Sequence, residues 1–132
     1  MKLNFEESQE CAEWLCEIPL SHFDPFGKGV LTIAIDDVED VNPSLGAFVD
    51  EFGERYREFW PHIEELLMGW GWSWAELIDA HECTRIDLED ASGNPPESWE
   101  LNFCFLFDNG YTLDLGLVFD GWVPGDRLVG SH

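Results

Sequence analysis

The side chains best suited to chemistry in this sequence are its carboxylates. Glu6, Glu10, Glu13 and Glu17 are spaced four, three and four apart, a spacing that stacks four acids in one narrow stripe on a helix. No Lys or Arg lies between them, so each like-charge neighbour costs an isolated helix about 0.2–0.5 kcal/mol, screened by salt over about 8 Å. Asp36, Asp37, Glu39 and Asp40 form a second block, and Glu82, Asp87, Glu89 and Asp90 a third. If these blocks share one face, their field steers a basic partner to it. The competing reading is a generally acidic, solvated surface with no particular partner, and both stay open here. Adjacent pairs such as Asp36-Asp37 and Glu89-Asp90 offer acid–base groups, but neighbours point apart on a strand, and among 28 acids such pairs arise by chance.

Trp70-Gly71-Trp72-Ser73-Trp74 is the second unusual feature. Indoles two apart can line one side of an extended loop and form an aromatic platform for a sugar, a base or a flat apolar partner. The plainer reading, favoured here, is that Trp70 or Trp74 fills the core where the loop crosses a sheet.

Other chemistry finds little support. Cys11, Cys16, Cys83 and Cys104 are too few and too irregularly spaced for a secreted disulfide framework, and are read as reduced thiols. Cys11 and Cys16 diverge by about 140° on a helix; His81-Glu82-Cys83 can put two ligands on one face of a strand, but no second pair has ligand spacing, so no metal is expected. Gly27-Lys28-Gly29 precedes a strand rather than opening a helix, unlike a phosphate-binding loop. No nucleophile elbow, zinc-protease or calcium-loop pattern occurs, and His22, His62 and His81 are read as surface or cap residues. No catalytic residue and no cofactor is assigned.

Composition bounds the rest. Six Lys+Arg stand against 28 Asp+Glu, a formal net charge of −22, which argues against unaided contact with nucleic acid phosphates or an anionic membrane. Apolar residues at 45% exceed what a disordered acidic tail contains. The opening Met1–Glu7 lacks a secretory signal and no run of about 18 apolar residues occurs, so a cytoplasmic protein is expected.

Several elements must position these groups. Cys11, Trp14, Leu15 and Ile18 recur at helical spacing before Pro19, predicting a first helix from Glu6 to Cys16. Gly29 to Asp37, apolar on both faces, predicts a central strand. Asn42-Pro43 opens a long second helix carrying Phe48, Phe52, Tyr56 and Phe59, with Glu51 four residues before Arg55; Pro61 kinks it or restarts it through Leu67. Ser73-Trp74-Ala75-Glu76 fits a capping box for a short third helix. Arg85 to Leu88, Trp99 to Phe107 and Tyr111 to Phe119 read as strands, the last two joined at Asn109-Gly110, and Trp122 to Val129 as a short edge element. The expected fold is one α+β domain over 1–132: an antiparallel sheet of about four strands, with the second and third helices on one face, in the order α-β-α-α-β-β-β.

The strand Trp99-Glu100-Leu101-Asn102-Phe103, the hairpin into Leu115-Gly116-Leu117-Val118-Phe119-Asp120-Gly121-Trp122, and the acidic helices before them resemble the small acidic α+β immunity proteins that bacteria pair with polymorphic or contact-dependent toxins. The resemblance implies a stoichiometric inhibitor of one cognate toxin, and no binding residue is carried over from it. The leading expectation is therefore an acidic protein-binding module that occludes a basic surface of a protein partner such as a nuclease. A housekeeping or structural protein adapted to high salt is the alternative, and a carboxylate enzyme comes last. Monomer and dimer are both compatible, the Trp loop being able to pair two copies.

Overall fold

A computed structural model describes residues 6–7, 13–19, 30–36, 44–88 and 96–131. The chain begins with three strands, β1 (Glu6–Glu7), β2 (Glu13–Pro19) and β3 (Val30–Asp36). Two helices follow, α1 (Ser44–Gly69) and α2 (Trp74–Ile78). Five strands complete it: β4 (His81–Leu88), β5 (Ser98–Leu106), β6 (Thr112–Asp120), β7 (Val123–Pro124) and β8 (Val129–Ser131). All eight strands join one sheet in the order β1-β2-β3-β4-β5-β6-β7, and β8 pairs β6 farther along the edge that β7 occupies. Every pairing is antiparallel except β3 with β4, whose parallel alignment requires the crossover that α1 and α2 supply.

This corrects the expected architecture in three respects. The sheet has eight strands rather than four, it is mixed rather than antiparallel, and the chain opens β-β-β rather than with a helix. The segment expected to be the first helix contributes β1 and β2 instead. In Glu13-Trp14-Leu15-Cys16-Glu17-Ile18, Trp14 and Ile18 satisfy a helical spacing, but Trp14, Cys16 and Ile18 also alternate with period two, and the strand reading wins. Extension also relieves the like-charge crowding, since Glu13 and Glu17 stand about 13 Å apart along a strand. β2 pairs with β3 from Glu13↔Asp36 to Pro19↔Val30 and so satisfies the backbone hydrogen bonds of its second edge. Residues 8–12, with Glu10 and Cys11, lie outside the described residues.

Of the other elements, the strand expected at Arg85 to Leu88 starts four residues earlier, at His81, and the single edge element expected at Trp122 to Val129 is two separate short strands, β7 and β8. β3 lies inside the sheet, between β2 and β4, and β5 and β6 form a hairpin in register from Ser98↔Asp120 to Leu106↔Thr112. Its turn is closed by Gly110 N–H to the Phe107 carbonyl at 2.9 Å, with Gly110 at φ +86°, where glycine avoids the strain of a Cβ. α1 runs unbroken through the exposed Pro61, and Arg55 meets Glu51 at 3.2 Å as an i,i+4 pair. Ser73 caps α2, its hydroxyl accepting from Glu76 N–H at 3.4 Å.

One face of the sheet and one stripe of α1 form the core. Leu31, Ile33 and Ile35 of β3, Ile86 and Leu88 of β4, Trp99 to Phe105 of β5 and Leu113 to Phe119 of β6 supply alternate residues to it. Phe48, Phe52, Phe59 and Trp60 of α1 press onto that surface, Phe48 edge-on to Trp99 at 5.1 Å and Phe59 edge-on to Phe119 at 5.1 Å.

α1 ends in a Schellman motif: Trp72 N–H bonds to the Leu67 carbonyl and Gly71 N–H to the Met68 carbonyl, with Gly71 at φ +84°. A Cβ at Gly71 has open space, so the effect of adding one is conformational. Gly71→Ala is expected to destabilise the protein by about 1–2 kcal/mol in denaturant unfolding. Gly53→Ala, inside α1 with equally open space, is expected to act in the opposite direction by about 0.5–1 kcal/mol.

Candidate functional site

The face of the sheet opposite α1 is the candidate site. Strand periodicity and register place the same alternate positions of every strand on it: Glu6; Glu13 and Glu17; Asp36; Arg85 and Asp87; Glu100; Asp114 and Asp120. Among the described residues no helix lies over this face, where Glu17, Asp114, Val118 and Asp120 are exposed. Val30, Leu106, Val118, Val123 and Val129 share it and are between 43% and 67% exposed. Among the described side chains, apolar groups thus stand with five acids, Glu17, Asp87, Glu100, Asp114 and Asp120, and with Arg85.

Five of the acids singled out in the sequence, Glu6, Glu13, Glu17, Asp36 and Asp87, hold positions on this face, though not as a helical stripe. Glu6 is opposite Leu15, Glu13 opposite Asp36, and Glu17 opposite Thr32. Glu10, Asp37, Glu39 and Asp40 lie outside the described residues, as do Glu89 and Asp90 of the third block. Asp87 joins the face directly across from Glu100. Like charges set directly opposite each other weaken strand pairing, so Asp87↔Glu100 by itself does not serve the sheet. Glu100, Asp114 and Asp120 were missed by counting charge blocks; the period-two alternation of β5 and β6 is the signal that finds them.

A polar cluster occupies the middle of the face. Arg85 Nε donates to both Asp87 carboxylate oxygens at 2.9 and 3.0 Å, and the Asn102 amide donates to Asp87. Glu100 and Asn102 lie across β6 over Gly116, where a Cβ would collide with both. Burial, reinforced by the Asp87 charge, raises the Glu100 pKa above the usual carboxylate range, against the opposing pull of Asn102 and Arg85. The folded state therefore holds this proton more tightly than the unfolded chain does. Stability from Glu100 is present in acid and is lost as pH rises through its folded pKa. Glu100→Gln is expected to unfold at higher denaturant than wild type at pH 7, with the difference shrinking as pH falls towards about 4. A constant difference from pH 7 to pH 4 contradicts this assignment.

Cys83 and Cys104 are direct cross-strand partners on the same face, both half-buried. The Cys104 thiol hydrogen-bonds to Cys83 and draws its pKa down to about 7, opposed by burial and assisted by Arg85. The Cys104 pKa is pushed up by Cys83, burial and Asp114. The two-ligand reading of His81-Glu82-Cys83 does not hold, because a bulge between His81 and Cys83 turns them to opposite faces. His81 is buried on the core side, its Nε2 at 3.0 Å from Thr84 Oγ1, and is not the surface or cap residue expected. His62 sits half-buried, donating from Nε2 to the Gly125 carbonyl at 2.7 Å. Among the described residues no group of three or more His, Cys, Asp or Glu is arranged to hold a metal ion.

The tryptophan run forms the turn between the helices. The Trp70 ring lies against Gly130 of β8, where a Cβ would meet it at 2.5 Å, yet Trp70 stays 42% exposed. Trp72 stacks on Phe107 at 5.4 Å, and the Trp74 side chain is outside the described residues. Trp70 and Trp72 thus pack individually against the end of the sheet. Beside them Glu64, Leu67, Met68, Gly71, Trp72 and Ser73 line a shallow, open hollow.

Among the described residues no helix is long and apolar enough to cross a membrane. No protein-family model, no curated protein and no solved structure matches the chain, so its affiliation rests on no shown relative.

Proposed function

We propose that this protein is an acidic protein-binding module that docks a basic protein surface on its helix-free sheet face, acting as a stoichiometric inhibitor of the immunity type. The observation that carries the reading is the composition of that face: Glu17, Asp87, Glu100, Asp114 and Asp120 from four strands, with exposed Val and Leu side chains among them. Protein interfaces combine an apolar centre with a polar rim, and complementary charge sets the rate and selectivity of encounter. A nuclease, whose own cleft is basic to hold phosphates, is a fitting partner class.

The test is affinity capture from the source lysate with two variants of equal charge change. One carries Glu17→Gln, Asp114→Asn and Asp120→Asn on the open face; the other carries Glu54→Gln, Glu58→Gln and Glu65→Gln on the exposed side of α1. One basic protein recovered in near-equal amount by wild type and the α1 variant, and lost by the face variant, supports the proposal. Equal capture by all three overturns the assignment of the face.

A second reading rests on α1 itself, whose solvent side exposes Asp50, Glu54, Glu58, Glu64 and Glu65 around Arg57. Acid spread over both sides of the molecule also fits adaptation to a high-salt medium. Thermal unfolding separates the two: an inhibitor stays folded in dilute buffer, whereas a halophilic protein needs molar salt.

A further inference from the structure

We propose that Cys83 and Cys104 form a thiol modification site, a cross-strand dithiol that a low-molecular-weight disulfide such as oxidised glutathione converts into an intramolecular disulfide. The site is independent of the docking reading above. Three features of the pair carry it. The register sets the two residues directly opposite each other on β4 and β5, where Cβ atoms stand about 4.5–5.5 Å apart, close to the reach of a disulfide. Both side chains are half-buried on the helix-free face and so remain accessible, whereas Cys16 is 3% exposed on the core side of β2. The bulge between His81 and Cys83 interrupts the ladder beside the pair, at the point where a strand can bend to close the remaining gap.

The environment also divides the roles. The Cys104 hydrogen bond and the Arg85 charge favour the Cys83 thiolate, while burial and Asp114 keep Cys104 protonated. Cys83 is therefore the attacking sulfur. Its thiolate adds to one sulfur of the small disulfide, the S–S bond breaks, and the departing thiolate takes up a proton. Cys104 then loses its proton to solvent and attacks the Cys83 sulfur of the mixed disulfide, expelling the second small thiolate. The protein loses two electrons and two protons, and one small disulfide becomes two thiols.

The experiment uses the full chain in buffers of reduced and oxidised glutathione, followed by alkylation of remaining thiols and tryptic mapping. Cleavage after Arg57, Arg85 and Arg127 separates Cys83 in fragment 58–85 from Cys104 in fragment 86–127, and cleavage after Lys2 and Lys28 leaves Cys11 and Cys16 together in fragment 3–28. The expected result is a disulfide joining 58–85 to 86–127. Cys104→Ser, which keeps a hydrogen-bond donor beside Cys83, is expected to stop at a glutathione mixed disulfide on Cys83. Cys83→Ser is expected to react about tenfold more slowly at pH 7. The proposal is overturned if both fragments return alkylated under excess oxidised glutathione, if either links to 3–28, or if the wild type stops at the mixed disulfide. Equal rates for the two variants overturn the assignment of Cys83 as the attacking thiol.

Discussion

Trp99→Ala is expected to lower the free energy of unfolding by about 3–5 kcal/mol, the range for removing a large aromatic from a packed core. Trp99 sits where α1 meets β5 and β6, stacked on Phe119 at 4.1 Å and edge-on to Phe48 at 5.1 Å, Phe52 at 5.8 Å and Trp122 at 5.9 Å. Its indole N–H also donates to the Gly121 carbonyl at 2.7 Å, tying the turn after β6 to the start of β5. Domains of this kind are stable by only about 5–15 kcal/mol, and a net charge of −22 adds self-repulsion, so the variant is expected to be marginal in low salt. Trp99→Phe keeps much of the packing and loses the hydrogen bond, and a smaller loss, nearer 1–2 kcal/mol, is expected. Urea unfolding followed by circular dichroism gives both values. Equal losses for Phe and Ala contradict the aromatic packing as the main source of stability at this position.

The second large effect concerns association. Glu17→Lys, Asp114→Lys and Asp120→Lys together reverse charge on the open face, and are expected to slow association with the captured partner by one to three orders of magnitude at low ionic strength. The same reversal at Glu54, Glu58 and Glu65 on α1 keeps the net charge equal but presents the cations on the far side of the sheet. A much smaller change is expected there, because exposed charges farther apart than the screening length of about 8 Å interact weakly in physiological salt. Stopped-flow rates across a salt series measure both, and the wild-type rate is expected to fall as salt rises. Two variants slowed alike show that overall charge, not the sheet face, governs the encounter.

Several elements were legible because local pattern and long-range pairing agree. In β5 and β6 the core residues Trp99, Leu101, Phe103 and Phe105, and Leu113, Leu115, Leu117 and Phe119, alternate with period two and Asn109-Gly110 stands between the strands, so strand identity and hairpin pairing follow together. Phe48, Phe52, Tyr56 and Phe59 recur only at helical spacing, and α1 forms even through Pro61 because its aromatic stripe packs on the sheet. The segment at Glu13–Pro19 was not legible in this way. Trp14 and Ile18 fit both periods, and the choice is made by β3, a partner that local spacing does not contain.

The candidate site was legible as charge but not as a face. Glu6, Glu13, Glu17 and Asp36 were visible as acids, and their meeting depends on register across three strands rather than on spacing within one. Asp114 and Asp120 were hidden because each stands singly among apolar residues of β6, where no charge run draws notice. The Cys83–Cys104 pairing was hidden for the same reason: two cysteines 21 positions apart become neighbours only when β4 and β5 pair.

Carbodiimide labelling of carboxylates, mapped by mass spectrometry on the free chain and on its complex with the captured basic partner, tests the docking face most directly. Loss of labelling at Glu17, Asp114 and Asp120 on binding, with Glu54, Glu58 and Glu65 unchanged, is the predicted result. Protection confined to the α1 carboxylates, with the sheet face labelled as in the free chain, would contradict it.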